Sequence, residues 1–109
     1  MKLITAVVKP EIADDLVVAA TGAGARGLTA AEVIGFGRQY GHGHPDGSTA
    51  VMLPKIRVDI VVSDADTEAV TGAIAKCANA GTIGDGKIWV TTVDSVLRVR
   101  TGERDRAAV

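Results

Sequence analysis

The chain has 109 residues, a length that suits one domain of ordinary size and is too short for two full-sized ones. Its 12 Lys and Arg residues are balanced by 13 Asp and Glu residues, so it lacks the excess positive charge that binds nucleic-acid backbones. Hydrophobic residues make up 47% of the sequence, but a domain this small buries only about two-thirds of its unfolded surface, which favours association with a partner.

The first third of the chain predicts a strand, a helix and a second strand. Residues 3–8 are apolar and rich in β-branched side chains, which is typical of a strand covered on both faces. Between Ile12 and Ala23 the apolar residues recur at helical spacing, with acidic residues in the first turn. Glycines end this helix, and residues 28–36 predict the second strand.

A long loop follows, over about residues 37–53, because this stretch is rich in glycine and polar residues and shows no periodicity. Loops of this length in compact domains usually have a function. Residues 55–62 alternate again and predict a strand. One face of that strand is apolar, and its other face presents a charged row to a ligand, made of Lys55, Arg57 and Asp59.

The remaining third predicts a helix and a strand. Apolar residues between Val70 and Ala78 follow the spacing of an amphipathic helix. A glycine-rich loop at residues 81–86 then precedes a strand over residues 87–93, and the chain continues into an extended segment around Arg98 and Arg100. The polar tail from about residue 102 is expected to be frayed.

The order β-α-β-β-α-β predicts an α+β, ferredoxin-like domain that comprises the whole of residues 1–109. Two right-handed crossovers place both helices on one face of a four-stranded antiparallel sheet. The opposite face is left bare, and the first strand is apolar on both sides, so other subunits are expected to cover that face. The sequence therefore predicts a homo-oligomer.

Cysteine and aromatic residues are few. Cys77 is alone, which excludes an intrachain disulfide and is compatible with a reducing cytosol, and its place on the apolar helical stripe predicts a small buried hydrophobe. Phe36, Tyr40 and Trp89 are too few to form a base-stacking RNA platform. The opening apolar run is too short for a membrane span or a signal peptide. We expect a cytoplasmic protein, without membrane insertion or a nucleic-acid partner.

Two glycine motifs match phosphate-binding patterns in their letters only. Residues 22–27 spell G-x-G-x-x-G, but they follow a helix and enter a strand, the reverse of the dinucleotide-binding context. Residues 81–87 spell G-x-x-x-x-G-K, but Ile88 replaces the hydroxyl residue that would hold magnesium. The second loop can still form an anion cradle with Lys87, although a plain turn would need the same glycines.

Two arginines and two histidines are further candidates. Arg98 and Arg100, two positions apart in an extended segment, would point to the same side and grip one polyphosphate; the alternative is a solvated charged edge. His42 and His44 could share a metal, but no third ligand is evident and a solvated loop explains them as well. No catalytic triad presents itself, so no catalytic residue is assigned.

Five separated segments resemble one known family. They are MKLITAVVKP at residues 1–10, GFGRQ with GH at 35–42, LPK at 53–55, IGDGKI at 83–88 and RVRTGE at 98–103. Together, in this order and over nearly the whole chain, they resemble the PII signal-transduction proteins. The resemblance implies a ferredoxin-like homotrimer that binds adenine nucleotides in clefts between subunits. It also implies that a long loop (the T-loop) docks onto a metabolic enzyme or transporter to report carbon, nitrogen or energy status.

The resemblance also implies which residues bind ligands. The glycine loop would hold phosphates of ATP, ADP or AMP together with three arginines, and Thr29 and Asp59 would lie near the base and ribose. Gln39 and Lys55 match positions that hold 2-oxoglutarate and its magnesium in nucleotide-loaded members. The full implied nucleotide set is Thr29, Gly35, Gly37, Arg38, Asp59, Ile83, Gly84, Asp85, Gly86, Lys87, Arg98 and Arg100.

The chain departs from the family pattern in its two loops. The long loop is shorter than is usual in the family, and it lacks the family's acceptor tyrosine near the tip, since its only tyrosine, Tyr40, lies at the base. No modification site is therefore assigned. Ser48 and Thr49 could accept phosphate, but nothing in their spacing requires it. Ala80 and Thr82 stand where many members have Thr and Lys. These departures suit a divergent branch that follows adenylate charge or inorganic carbon (bicarbonate) instead of 2-oxoglutarate.

Two other functions compete with a nucleotide-sensing regulator. An enzyme using the same cleft for phosphoryl transfer would need a placed base or nucleophile, and none is identified. Weak ATPase activity would be compatible with either a regulator or an enzyme. A metal-binding or purely structural oligomer would instead use His42 and His44.

Overall fold

The computed structural model describes residues 1–37 and 51–109. The main elements in chain order are β1 (Lys2–Val8), α1 (Ala13–Gly22), β2 (Thr29–Gly35), β3 (Leu53–Val62), α2 (Thr67–Ala78) and β4 (Gly86–Thr92). A turn of 3-10 helix leads into each α-helix, at Pro10–Ile12 and Asp64–Asp66. The βαββαβ order that the sequence predicts is confirmed.

The four strands form one antiparallel sheet in the order β2-β3-β1-β4. β1 lies inside the sheet, where it pairs with β3 on one side and β4 on the other along its whole length. This central place accounts for its run of apolar, β-branched residues. The strand order, with both crossovers spanning one intervening strand, is that of the ferredoxin-like fold.

Both helices pack on one face of the sheet and enclose the core. Alternate residues of β1 and β3 point towards the helices and are buried, as the alternation predicts. The helices contribute Leu16 and Ala20 from α1 and Val70 and Ile74 from α2. The sheet contributes Ile4, Ala6, Val8, Val58, Ile60 and Val62. Cys77 is only partly buried and packs against this core, and burial raises the pKa of its thiol, as does Asp15.

The opposite face of the sheet is open in a single copy of the chain. Trp89 is 42% exposed there and Val61 is 36% exposed, while Thr5 in the middle of the face is buried by its neighbours. A face with this much apolar surface is a surface for association. It is also the face on which the candidate ligand groove lies.

The segment after β4 differs from two sequence expectations, an extended course through Arg98 and Arg100 and a frayed tail from residue 102. Leu97 forms an isolated antiparallel bridge with Arg104, so the chain turns back on itself. The N–H of Gly102 donates to the carbonyl of Arg98 at 2.8 Å. Gly102 permits this reversal because its φ is +73°. Residues 97–104 are called the C-terminal hairpin below, and a 3-10 turn follows it at Asp105–Ala108.

Most of the predicted long loop lies outside the described residues. Those positions are 38–50, and they include Arg38, Gln39, Tyr40, His42, His44, Ser48 and Thr49. β3 begins at Leu53, two residues earlier than predicted. The helices within residues 1–37 and 51–109 are too short and too polar to cross a membrane.

Candidate ligand-binding groove

The loop between α2 and β4, residues 79–86, is organised by the carboxylate of Asp85; it is called the glycine loop below. One carboxylate oxygen accepts hydrogen bonds from the N–H groups of Ala80 at 2.9 Å, Gly81 at 2.9 Å and Thr82 at 3.2 Å. The other accepts one from the Thr82 hydroxyl at 2.9 Å. Three successive amides around one oxygen form an anion-binding nest. The chain fills this nest with its own side chain.

The Asp85 carboxylate is therefore held in its charged form. Burial disfavours the charge and raises its pKa, but the hydrogen bonds from Thr82, Ala80 and Gly81 outweigh burial and lower the pKa to about 2. The ammonium of Lys9 adds a contact at 3.5 Å to the carboxylate and donates to the Thr82 hydroxyl at 3.0 Å. Asp85 thus builds the loop, and its side chain lies outside the lining of the groove described next.

A groove of about 480 Å³ lies on the open face of the sheet, beside the glycine loop. Val7 and Trp89 give it apolar surfaces, and Lys55 and Lys87 give it two positive charges. The remaining lining residues come from the end of β2 and from the glycine loop: Gly35, Phe36, Gly37, Ile83, Gly84 and Gly86. Apolar surfaces with a few placed charges suit a ligand that has a flat ring and an anionic group.

Glycine is required where the loop enters β4. Gly86 has a φ of +111°, and a Cβ there would lie 2.0 Å from the carbonyl oxygen of Val7. The main chain of β4 therefore starts in close contact with β1, and no other residue type fits. Gly84, with a φ of +99°, makes the turn just before it. Among the described residues, the N–H groups of Ile83 and Gly84 have no hydrogen-bond partner and remain available to an anion.

Lys55 connects β3 to the glycine loop. It is only 9% exposed, and its Nζ donates to the carbonyl of Gly84 at 3.3 Å. A buried ammonium keeps two further N–H groups for other acceptors. Lys55, one of the three residues of the predicted charged row, lines the groove, but its side chain is largely enclosed between the strand and the glycine loop.

The other two charges of that row neutralise each other. Asp59 accepts a hydrogen bond from the buried hydroxyl of Thr5 at 2.7 Å and another from Nε of Arg57 at 3.2 Å. Thr29 is opposite Asp59 in the register of β2 and β3. Thr29, Asp59, Thr5 and Trp89 thus form one row across the sheet, and only Trp89 of this row lines the groove.

The two arginines of the C-terminal hairpin lie away from the groove. β4 has seven residues and leads from the glycine loop to the far end of the sheet, roughly 20 Å away at 3.3 Å per residue. Arg98 pairs there with Glu103, with 2.8 Å between Nη1 and Oε1, and Arg100 lies in the turn of the hairpin. Neither arginine lines the groove of its own chain.

Apart from Asp85, which organises the glycine loop outside the groove, the predicted residues that the structure describes fall into two groups. The first lines the groove and consists of Gly35, Gly37, Lys55, Ile83, Gly84, Gly86 and Lys87. The second, called the distal group below, lies apart from it and consists of Thr29, Asp59, Arg98 and Arg100. Arg38 and Gln39 are outside the described residues. Within the described ranges, no three His, Cys, Asp or Glu side chains cluster as metal ligands.

Two residues that organise these groups, Lys9 and Glu103, were not predicted from the sequence. Lys9 holds the glycine loop from the end of β1, and the only signal for it was a lysine before the proline that ends a strand. Glu103 pairs with Arg98, and its signal was an acidic residue five positions after an arginine, across a glycine. Both contacts depend on where loops meet, which local spacing does not reveal.

Comparison with known proteins identifies the family. The family model described as nitrogen regulatory protein P-II matches residues 1–103. The chain is 42% identical to the nitrogen regulatory protein GlnK of Escherichia coli (strain K12), with all of both chains covered. It is 47% identical to the nitrogen regulatory protein P-II of Rhizobium leguminosarum bv. viciae, over 94% of this chain and 95% of that protein. The corresponding protein of Synechocystis sp. (strain ATCC 27184 / PCC 6803 / Kazusa) is 41% identical over the full length of both chains. The chain therefore belongs to the P-II family of nitrogen regulatory, signal-transducing proteins.

Proposed function

We propose that this P-II protein is a cytoplasmic homotrimer that binds ATP, ADP or AMP in clefts between its subunits. Each cleft combines the groove of one copy with the distal group of the next. The observation that carries this proposal is the division of the site residues. Lys55 and Lys87 line a groove with an apolar floor. Arg98 and Arg100 lie in the C-terminal hairpin of the same chain, beyond the far end of β4, where they cannot reach that groove.

The chemistry of the two groups supports an adenine nucleotide. Trp89 and Val7 offer flat apolar surface to a base. The N–H groups of Ile83 and Gly84, which have no partner among residues 1–37 and 51–109, suit phosphate oxygens. The nest at residues 80–82 is filled by Asp85, so the phosphates would bind beside it. Two guanidiniums from a neighbouring copy would add to the positive charge of Lys55 and Lys87 and help to balance the phosphates.

We further propose that the cleft signals through the long loop to a target enzyme or transporter. Arg38 and Gln39 stand at the base of that loop in the sequence, next to Gly37, which lines the groove. A ligand that contacts them would bias loop conformations of similar energy, and about 2–3 kcal/mol of differential contact suffices for a roughly hundredfold shift. The status reported would be carbon, nitrogen or energy supply.

The second effector decides between two branches of this function. Gln39, with Lys55, would hold 2-oxoglutarate and magnesium, and the buried ammonium of Lys55 keeps donors for a carboxylate. The alternative is a sensor of adenylate charge or bicarbonate that does not respond to 2-oxoglutarate. Ala80 and Thr82 in the glycine loop suit this alternative because they would change a phosphate contact, and with it the preference among ATP, ADP and AMP. Both branches are regulators; any ATPase activity would be weak and secondary.

Calorimetric titration of the purified protein tests the function. ATP, ADP and AMP are titrated with and without magnesium, 2-oxoglutarate or bicarbonate, and Trp89, the sole tryptophan, reports groove binding by its fluorescence. We expect a saturable nucleotide signal that one effector strengthens. Absence of affinity for every nucleotide would refute the proposal. Replacing Gln39 should weaken the binding of the magnesium-dependent effector and leave the binding of ADP unchanged. Equal loss of both affinities would contradict the role assigned to Gln39.

A further inference from the structure

The arginine that we assign to phosphate binding already has an anionic partner in its own chain. Nη1 of Arg98 and Oε1 of Glu103 are 2.8 Å apart, with both side chains about 40% exposed, at 39% and 42%. The hydroxyl of Thr101 donates to the same carboxylate oxygen at 2.7 Å. Two donors thus fix this oxygen against the guanidinium.

The backbone keeps Glu103 opposite Arg98. The N–H of Arg98 donates to the carbonyl of Glu103 at 2.9 Å, and the N–H of Gly102 donates to the carbonyl of Arg98 at 2.8 Å. These bonds set the hairpin independently of the side chains. A phosphate that engages Arg98 must therefore bind within a side-chain length of the Glu103 carboxylate.

Glu103 carries a negative charge at neutral pH. The hydrogen bond from Thr101, helped by Arg98 and opposed by burial, holds the pKa of Glu103 below its usual value. Arg100, in the turn between them, has no ion-pair partner among the described residues. Within the part of the chain that the structure describes, the hairpin thus presents Arg100 without an ion-pair partner, and Arg98 with a charge that Glu103 partly offsets.

We propose that Glu103 is a specificity-determining residue that repels successive phosphates and so reduces the preference of the cleft for ATP over ADP and AMP. This inference rests on the nucleotide-binding function proposed above. Its physical basis is that repulsion by one fixed charge grows with the number of phosphate charges nearby. A residue that only supported the turn would affect all three nucleotides alike.

The Glu103→Gln substitution separates charge from shape. The amide oxygen of glutamine can still accept from Thr101 and Arg98, so the hairpin is retained while the negative charge is removed. If the Glu103 charge and the phosphates are taken to be roughly 8 Å apart in screened solvent, removing the charge should tighten the binding of ATP about threefold to fivefold. AMP should gain less than about twofold, because it carries fewer charges.

The experiment is calorimetric titration of the full chain with ATP, ADP and AMP, at about 0.05 M and about 0.5 M salt. E103Q and E103A are compared with wild type, so that either variant carries the test if the other folds poorly. Glu68→Gln is the matched control, because it removes the same charge from an exposed position on α2. This helix packs on the face of the sheet opposite the groove.

We expect the ratio of ATP to AMP affinity to rise in E103Q and E103A, to stay unchanged in E68Q, and the rise to shrink at high salt. An unchanged ratio, or an equal loss of affinity for all three nucleotides, would overturn the inference while leaving nucleotide binding intact. Failure of the wild-type protein to bind any nucleotide would instead overturn the proposed function, and this inference with it.

Discussion

Replacement of Gly86 by alanine is the sharpest structural test of how the groove is built. Gly86 starts β4 with a φ of +111°, and the added Cβ would lie 2.0 Å from the carbonyl oxygen of Val7. Carbon and carbonyl oxygen normally approach to roughly 3.3 Å, so the start of β4 must move away from β1 by about 1 Å. This movement carries Lys87 and the glycine loop with it.

The cost follows from two separate effects. A positive φ costs an L-residue about 1–2 kcal/mol. Displacing packed backbone to admit an extra methyl group costs about 1–3 kcal/mol more. We therefore expect Gly86→Ala to lower the free energy of unfolding by about 2–5 kcal/mol, a large fraction of the stability of a small domain.

Urea unfolding at fixed protomer concentration measures this change, with Gly72→Ala as the matched control. Gly72 lies in α2, where an added Cβ meets nothing within 4 Å, so that substitution should raise stability by about 0.5–1 kcal/mol. If Gly86→Ala unfolded within about 1 kcal/mol of wild type and bound ligand equally well, the close approach of β4 to β1 would not be what shapes the groove.

One pH titration and two substitutions test further contacts around the groove and in the core. Hydrogen bonds within the glycine loop lower the pKa of Asp85 to about 2, so its contribution to the loop is complete above about pH 4 and is lost as the pH falls towards 2. NMR titration of the Gly81 amide should show that low midpoint, and a midpoint near 4 would contradict it. Thr5→Val removes the 2.7 Å hydrogen bond to Asp59 and should lower stability by about 1 kcal/mol in thermal unfolding; no loss would mean that water replaces the bond. Thr71→Val should raise stability by about 0.5–1 kcal/mol, because the Thr71 hydroxyl is buried without a partner among the described residues, and destabilisation would point to an undetected bond.

Hydrophobic periodicity was sufficient to predict the order of elements, the sheet and the face that the helices cover. The alternation around Val58 and Ile60 and the helical spacing of Val70 and Ile74 both reflect burial, which is a local consequence of amphipathic sequence. The resemblance to P-II proteins then supplied the candidate site residues, and family membership is confirmed by the comparisons.

The spacing of residues along the sequence did not predict side-chain positions correctly where loops determine the geometry. Arg98 and Arg100 are two positions apart, but the positive φ of Gly102 reverses the chain, so strand alternation does not apply to them. Asp85 was expected to hold phosphates, and that role stays untested; its carboxylate is occupied by amides of its own loop. The burial of Lys55 could not be predicted from the sequence either, because it depends on a contact with Gly84, 29 residues away.

The central claim is that each nucleotide cleft joins the groove of one copy to the C-terminal hairpin of another. Mixing two inactive variants tests it most directly: Lys87→Ala removes a charge from the groove, and Arg100→Ala removes one from the hairpin. Neither variant alone should bind ATP well. After co-refolding into mixed trimers, we predict that binding returns at the one cleft where an intact groove meets an intact hairpin. Mixed trimers that bind no more ATP than either parent would contradict the shared cleft.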